Sequence, residues 1–210
     1  MTDSPTHPVV TLFESYGSGA TQVAPRVAAA LGVPYLGQRF SSEELEDAEE
    51  QRRQQQADEG PVSRFFASFG HFGVDNRSIP LDQRDEYVIA VENTKTVRDA
   101  VAEGGVVLGR NATVILSDNP AALHVKLDAP VEARIARAAD EGGIDQGRAA
   151  RRQAHEDKMR ADMSMRLYAW DPRLPDHYDL IVNTSTLDVD QIVDIVVAAS
   201  SIKARTVAAH

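Results

Sequence analysis

The chain has 210 residues, of which 32 are acidic and 22 basic, for a formal net charge of -10. Such a surplus repels polyanions and argues against nonspecific nucleic-acid binding, while a small phosphorylated ligand, which answers to local fields, stays compatible. Cysteine is absent, which excludes a disulfide framework and a thiolate metal site or nucleophile and fits a reducing compartment.

The first ten residues, MTDSPTHPVV, carry neither a basic segment nor a signal-peptide hydrophobic stretch, and no apolar run reaches the length of a membrane span. The expected location is cytoplasmic, with no membrane partner. Of the basic residues 18 are Arg and 4 are Lys. Arg suits bidentate recognition of phosphate oxygens, although a GC-rich genome is the plainer account of that composition as a whole.

In chain order, residues 1–8 read as a flexible tail, and Val9-Val10-Thr11-Leu12-Phe13 as a buried strand. After a glycine-containing turn, Val23, Val27, Ala30 and Leu31 recur at helical spacing, with Pro25 tolerable near a first turn and Gly32 as the stop. Val33 to Leu36 is a candidate second strand. The charged segment 41–60 reads as an exposed helix with Glu49 and Arg53 four apart, and 60–85, with Phe65, Phe66, Phe69 and Phe72, as an irregular apolar connector of the kind that covers ligands. A helix over 86–102 turns Ala90, Thr94, Val97 and Val101 to one side and ends at Gly104-Gly105 before the strand Val106-Val107-Leu108.

A strand over 123–127 leads to Pro130, which opens a helix with Val131, Ile135 and Ala138 inward. Glycines 142, 143 and 147 separate it from a long helix with Met159, Met163 and Leu167 on one face, followed by the strand Leu180-Ile181-Val182 and a last helix around Ile192, Val193 and Val196. Short apolar strands alternating with amphipathic helices predict an α/β domain over 9–210, with a parallel sheet and helices on both faces.

The turn after the first strand lies where a Walker A loop would surround nucleotide phosphates with backbone amides and a helix N-terminus. On G-x-x-x-x-G-K-[ST], the segment Glu14-Ser15-Tyr16-Gly17-Ser18-Gly19-Ala20-Thr21 keeps the second glycine at Gly19 and the hydroxyl at Thr21. Glu14 stands for the first glycine and Ala20 for the lysine, so the charge that normally meets the β and γ phosphates is missing. The amides of Gly17, Ser18, Gly19, Ala20 and Thr21 remain able to hold a phosphate, and the Thr21 hydroxyl to ligate Mg2+. A plain strand-to-helix turn explains the same residues.

The strand 106–108 runs into Gly109-Arg110-Asn111, which sets Arg110 at the carboxyl end of a parallel strand, where ligands of open α/β sheets gather; a surface loop arginine is the alternative. Arg148, Arg151 and Arg152 follow the glycines of 142–147, where a moving segment could carry guanidinium groups onto a transferring phosphoryl, or simply begin a solvated helix. Asp157 and Arg160, three apart, pair with each other or jointly hold a substrate. The six histidines show no ligand spacing for zinc. Gly17-Ser18-Gly19 lacks the longer nucleophile elbow, against a serine hydrolase.

Together V-V-T-L-F-E-S-Y-G-S-G, V-V-L-G-R-N-A-T-V-I-L, D-A-P-V-E-A-R-I-A-R and Y-D-L-I-V-N-T-S resemble the cytidylate-kinase-like family, in order and over nearly the whole chain. The resemblance implies a P-loop nucleoside-monophosphate-kinase fold with an NMP-binding insertion over 38–85, a lid over 141–153, and ATP with Mg2+ as donor. It implies Gly17 to Thr21 as the phosphate loop, Arg39, Arg110, Asp157 and Arg160 as acceptor-nucleotide residues, and Arg148, Arg151 and Arg152 as lid arginines. Cytidylate kinases have a lysine at the position of Ala20 and an Asp at that of Asn111; relatives with Y-G-S-G-G lack the lysine but often place arginines where Glu14 and Thr21 stand.

Two functions therefore compete: ATP-dependent phosphoryl transfer to a nucleoside monophosphate, CMP or dCMP foremost, and a catalytically impaired nucleotide-binding regulatory or interaction protein. Both expect nucleotide small molecules as partners, and a homo-oligomer stays open.

Overall fold

The computed structural model describes residues 7–38 and 83–208. Arg39, the helix expected over 41–60 with Glu49 and Arg53, the aromatic connector as far as residue 82 and residues 1–6 of the tail lie outside these. The described strands are β1 (Val9–Glu14), β2 (Tyr35–Leu36), β3 (Gly105–Leu108), β4 (Ala122–Asp128) and β5 (Leu180–Asn183). The helices are α1 (Ala20–Leu31), α2 (Gln83–Ala100), α3 (Ala112–Ile115), α4 (Val131–Gly142), α5 (Gln146–Tyr168) and α6 (Val189–Ala208).

The strands form one parallel sheet in the order β2-β3-β1-β4-β5, so β1 lies at the centre with β3 and β4 as neighbours. Both sides are covered, which is why the strands read as near-continuous apolar runs. On one side Val10, Leu12, Val106, Leu108, Val125 and Val182 meet Val23 and Val27 of α1 and Ile192 and Val196 of α6. Each fully buried valine contributes about 1.5 kcal/mol or more. On the other, Val9, Val107 and Ala122 meet Val97 and Val101 of α2 and Ile115 of α3.

Several expectations shift in detail. The second strand is reduced to Tyr35–Leu36, paired with Val106 and Val107. Pro25 lies beyond the first turn of α1, yet the helix continues to Leu31. The carbonyl this leaves without a helical donor belongs to Thr21, an exposed residue that water can reach. Val131 is exposed rather than inward, and Arg134 takes the buried place on α4 with Ala138. Within 141–153 only residues 143–145 connect α4 to α5, with Gly143 at φ 58° and Asp145 as N-cap, whose carboxylate accepts the Arg148 amide at 2.9 Å. Among the described residues no helix is long and apolar enough to cross a membrane.

The second sheet face turns polar toward its middle. Thr11 of β1 is in register with His124 of β4, and the Thr11 hydroxyl lies 2.8 Å from His124 Nδ1 and 3.2 Å from the Thr113 hydroxyl. Burial lowers the His124 pKa below 6.5, opposed by Asp179 and assisted by Lys203 and His177. Below pH 6.5 the unfolded chain takes up a proton at this position that the folded chain refuses, so stability falls with pH down to the depressed folded value. The thermal midpoint should decline between about pH 7 and about pH 5, and a His124→Asn variant should show a flatter profile by circular dichroism.

Candidate functional site

The carboxyl ends of β1, β2, β3 and β4 converge where the chain leaves β1 for α1. Ser15 N–H donates to the Leu127 carbonyl at 3.1 Å, so the turn starts as an extension of the sheet. Tyr16 N–H then donates to Asp157 Oδ1 at 2.8 Å, and Ser18 N–H to the Ser15 carbonyl at 3.0 Å. Gly17 and Gly19 take φ of 79° and 82°, a region glycine enters without a Cβ penalty. Gly17 is also crowded: a Cβ there would lie 2.4 Å from the Arg134 carbonyl oxygen.

This path leaves donors in reserve. The amides of Gly17, Gly19 and Thr21 find no acceptor among the described residues, and the buried Ser18 hydroxyl has no partner. The first turn of α1 has no acidic residue and no side-chain cap. Unpaired amides at a helix N-terminus attract anions. The residues therefore fit the phosphates of a nucleotide. Ala20 N–H is instead taken by Glu14 Oε2 at 3.2 Å. Among the described residues no group of three or more His, Asp or Glu could hold a metal ion.

Arginines from two helices and one strand end surround the loop. Arg134, nearly buried on α4, donates through Nη1 to the Tyr16 carbonyl at 2.9 Å and to Asp157 Oδ2 at 2.8 Å. Arg137, one turn on, donates to the Gly17 carbonyl at 3.0 Å and twice to Thr184, at 2.9 and 2.6 Å. From α5, Arg160 pairs with Glu156 at 2.8 Å, donates to the Glu14 carbonyl at 3.2 Å and lies 3.6 Å from Glu14 Oε1. Arg152, also buried, hydrogen-bonds the Tyr16 hydroxyl. Burial raises the Tyr16 pKa, as does the Glu156 charge, and Arg152 and Arg160 oppose the rise.

Arg110 reaches the same edge by a strained path. Gly109, Arg110 and Asn111 all have positive φ, 70°, 56° and 56°. For two non-glycine residues this costs roughly 1–3 kcal/mol each. The fit is enforced by Arg110 Nε on the Gly37 carbonyl at 2.7 Å, by Asn93 on the Arg110 carbonyl at 2.8 Å, and by Ser164 on Asn111 Oδ1 at 2.5 Å.

Of the residues singled out from sequence, Gly17 to Thr21, Arg110, Arg152, Asp157 and Arg160 meet around this edge. Arg148 and Arg151 stand exposed on the first turns of α5. The pairing of Asp157 with Arg160 does not occur: Asp157 holds Tyr16 and Arg134, and Arg160 pairs four residues back with Glu156. Sequence reasoning missed Arg134, Arg137, Gln38 and Glu156. The signal for Glu156 was present, because Arg152, Glu156, Arg160 and Ser164 recur every four residues as a polar stripe on α5.

The profile of the cytidylate kinase-like family matches residues 9–186, from the start of β1 to just beyond β5. The chain belongs to the cytidylate kinase-like family. A cytidylate kinase of Methanopyrus kandleri is 27% identical over 200 residues, 91% of this chain and 92% of that protein. A uronate isomerase of Corynebacterium glutamicum is 40% identical over 109 residues, which make up 52% of this chain and only 21% of that longer protein. Among solved structures, an uncharacterized protein from Eubacterium ventriosum superposes with a TM-score of 0.64 at 19% identity, over 92% of this chain and 98% of that one. A gluconokinase from Sinorhizobium meliloti gives 0.52 at 16%, over 97% of each. These likenesses establish the P-loop kinase fold. Family and fold together make the chain a kinase-like nucleotide-binding protein.

The loop's dependence on one glycine is open to test. Gly17→Ala meets both a positive φ and the backbone of α4, which cannot swing aside as a side chain would. It should lower unfolding stability by about 2 kcal/mol or more in urea denaturation.

Proposed function

We propose that the protein transfers the terminal phosphoryl group of ATP, with Mg2+, to a nucleoside monophosphate, CMP or dCMP foremost. The observation that carries this reading is the placement of unpaired loop amides beside arginines from α4, α5 and the β3 end. In it, Gly17, Ser18, Gly19 and Thr21 hold the donor phosphates, and the Thr21 hydroxyl is the protein ligand to Mg2+. Arg110 and Arg160, with Arg39 from outside the described residues, bind the acceptor. Asp157 serves as a positioning residue for the loop.

An oxygen of the acceptor phosphate attacks the γ phosphorus as the bond to the bridging β–γ oxygen breaks, giving ADP and a nucleoside diphosphate. Charge spreads over the transferring group, and the protein's part is to place and neutralise it. Ala20 brings no charge, so Arg137 above the loop and Arg148, Arg151 and Arg152 on α5 take that role, with movement of 141–153 bringing the exposed pair closer. A cytoplasmic setting, where both nucleotides occur, goes with this reading.

A second reading has a specific observation behind it. Glu14 already fills the Ala20 amide with a negative charge, as suits a chain that binds nucleotide to regulate or recruit without transferring phosphate. Coupled measurement of ADP release with ATP, Mg2+ and CMP, dCMP or AMP separates the two. Turnover should require the monophosphate, and Arg160→Ala should lower kcat/KM by about 100-fold or more. Stabilisation of the fold by nucleotide without product would instead support the regulator.

A further inference from the structure

We propose that Glu14 is a tethered competitor for phosphate: its carboxylate occupies the anion position at the start of α1, and a nucleotide binds there by displacing it. The inference rests on the reading of the loop as a phosphate site.

Glu14 stands where the Walker pattern has a glycine, a residue with no side chain to place in the loop. Here the side chain is present and only 7% of the residue is exposed. Because β1 alternates, Glu14 follows Val10 and Leu12 on the α1 side of the sheet, which brings its Oε2 to the Ala20 amide at 3.2 Å. That amide belongs to the position that carries the lysine in active P-loops, at the positive end of a twelve-residue helix. A carboxylate held there offers the loop what a phosphate oxygen would offer it: negative charge on a first-turn N–H.

The site is built so that this occupant can be exchanged. At 3.2 Å the contact to Ala20 is long for a charge-assisted bond, which is normally 2.7–2.9 Å. The other carboxylate oxygen is held more tightly, by Gln38 Nε2 at 2.7 Å, and Arg160 waits 3.6 Å away. A carboxylate leaving Ala20 therefore has a cation and an amide to remain on. Meanwhile it satisfies one loop donor, while the amides of Gly17, Gly19 and Thr21 and the buried Ser18 hydroxyl stay unused. An anion with several oxygens gains those donors in addition to the one it takes from Glu14. The net effect is a loop that resists single weak anions and yields to polyphosphate.

The test is titration calorimetry of the whole chain with tripolyphosphate and with ATP, for the wild type, Glu14→Gln and Glu14→Gly. Glu14→Gln keeps the shape and an acceptor for the Ala20 amide but removes the charge. It should bind tripolyphosphate about tenfold more tightly than the wild type, and Glu14→Gly at least as tightly. If the wild type binds and the folded Gln variant binds equally or more weakly, Glu14 is an anchor for Gln38 and Arg160 and the proposal is overturned while the phosphate site stands. If neither the wild type nor either variant binds tripolyphosphate or ATP, the phosphate reading itself falls and this proposal with it. Circular dichroism melts report folding, and should the Gly variant not fold, the isosteric Gln variant decides alone.

Discussion

A loop that keeps several amides unpaired must be held from collapsing onto them, and in this fold it is held from outside, by Asp157. Its two oxygens take the Tyr16 amide and the Arg134 guanidinium, while Arg134 in turn takes the Tyr16 carbonyl. Both polar groups of one loop residue are thereby committed to α4 and α5, and Gly17 is pressed against the α4 backbone. Removing one partner of a buried ion pair costs about 3–5 kcal/mol in general. With Arg134 at 6% and Asp157 at 28% side-chain exposure, the cost here sits below that range. It is still a sizeable fraction of the roughly 5–15 kcal/mol by which a domain is stable. The turn between β1 and α1 consequently inherits its shape from helices more than a hundred residues later.

The same arrangement explains why α5 buries charge. Its sheet-facing stripe is Arg152, Glu156, Arg160 and Ser164, a sequence of polar side chains spaced like the apolar face of an ordinary amphipathic helix. Each has a destination: the Tyr16 hydroxyl, Arg160, the end of β1, and Asn111. Buried polar groups are tolerated when paired, and these partners all lie at the carboxyl edge of the sheet. On the α1 side the apolar core runs along the sheet to Leu12, Leu108 and Leu127, and the polar site begins at Glu14, where it ends.

Elements with a simple period were legible in the sequence. The five strands, the turn into α1 and five of the six described helices follow from apolar spacing and glycine stops, and Arg110 from its place after β3; the short α3 (Ala112–Ile115) was not expected. What stayed hidden is what depends on tertiary pairing. Arg134 occupies a position that periodicity assigns to an apolar residue, and the Tyr16 and Ala129 carbonyls with Asp157 and Asp128 make its burial possible. Asp157 and Arg160 sit at a spacing that permits an ion pair, yet Asp157 has partners on the loop and α4, and Arg160 pairs with Glu156 four residues back. Gln38 carries no pattern at all; its meaning comes from Glu14 and Gly109 being brought beside it.

Loss of the loop lysine changes where positive charge originates more than whether it is present. A lysine at position 20 would be a flexible point charge, ordered only when phosphate arrives. Arg137 comes from α4 with its Nη1 group already bound to the Gly17 carbonyl and the Thr184 hydroxyl, and Nη2 to the Thr184 carbonyl. A guanidinium has five N–H donors. Three are spent on orientation, and Nε with one hydrogen of Nη2 has no acceptor among the described residues. Its Cδ lies 3.6 Å from where a Cβ on Gly19 would be, so the charge is held against the loop in advance of any ligand. A fixed cation loses little entropy on binding but cannot follow a phosphoryl group as it moves. That trade favours tight positioning of a bound nucleotide over pursuit of a moving group.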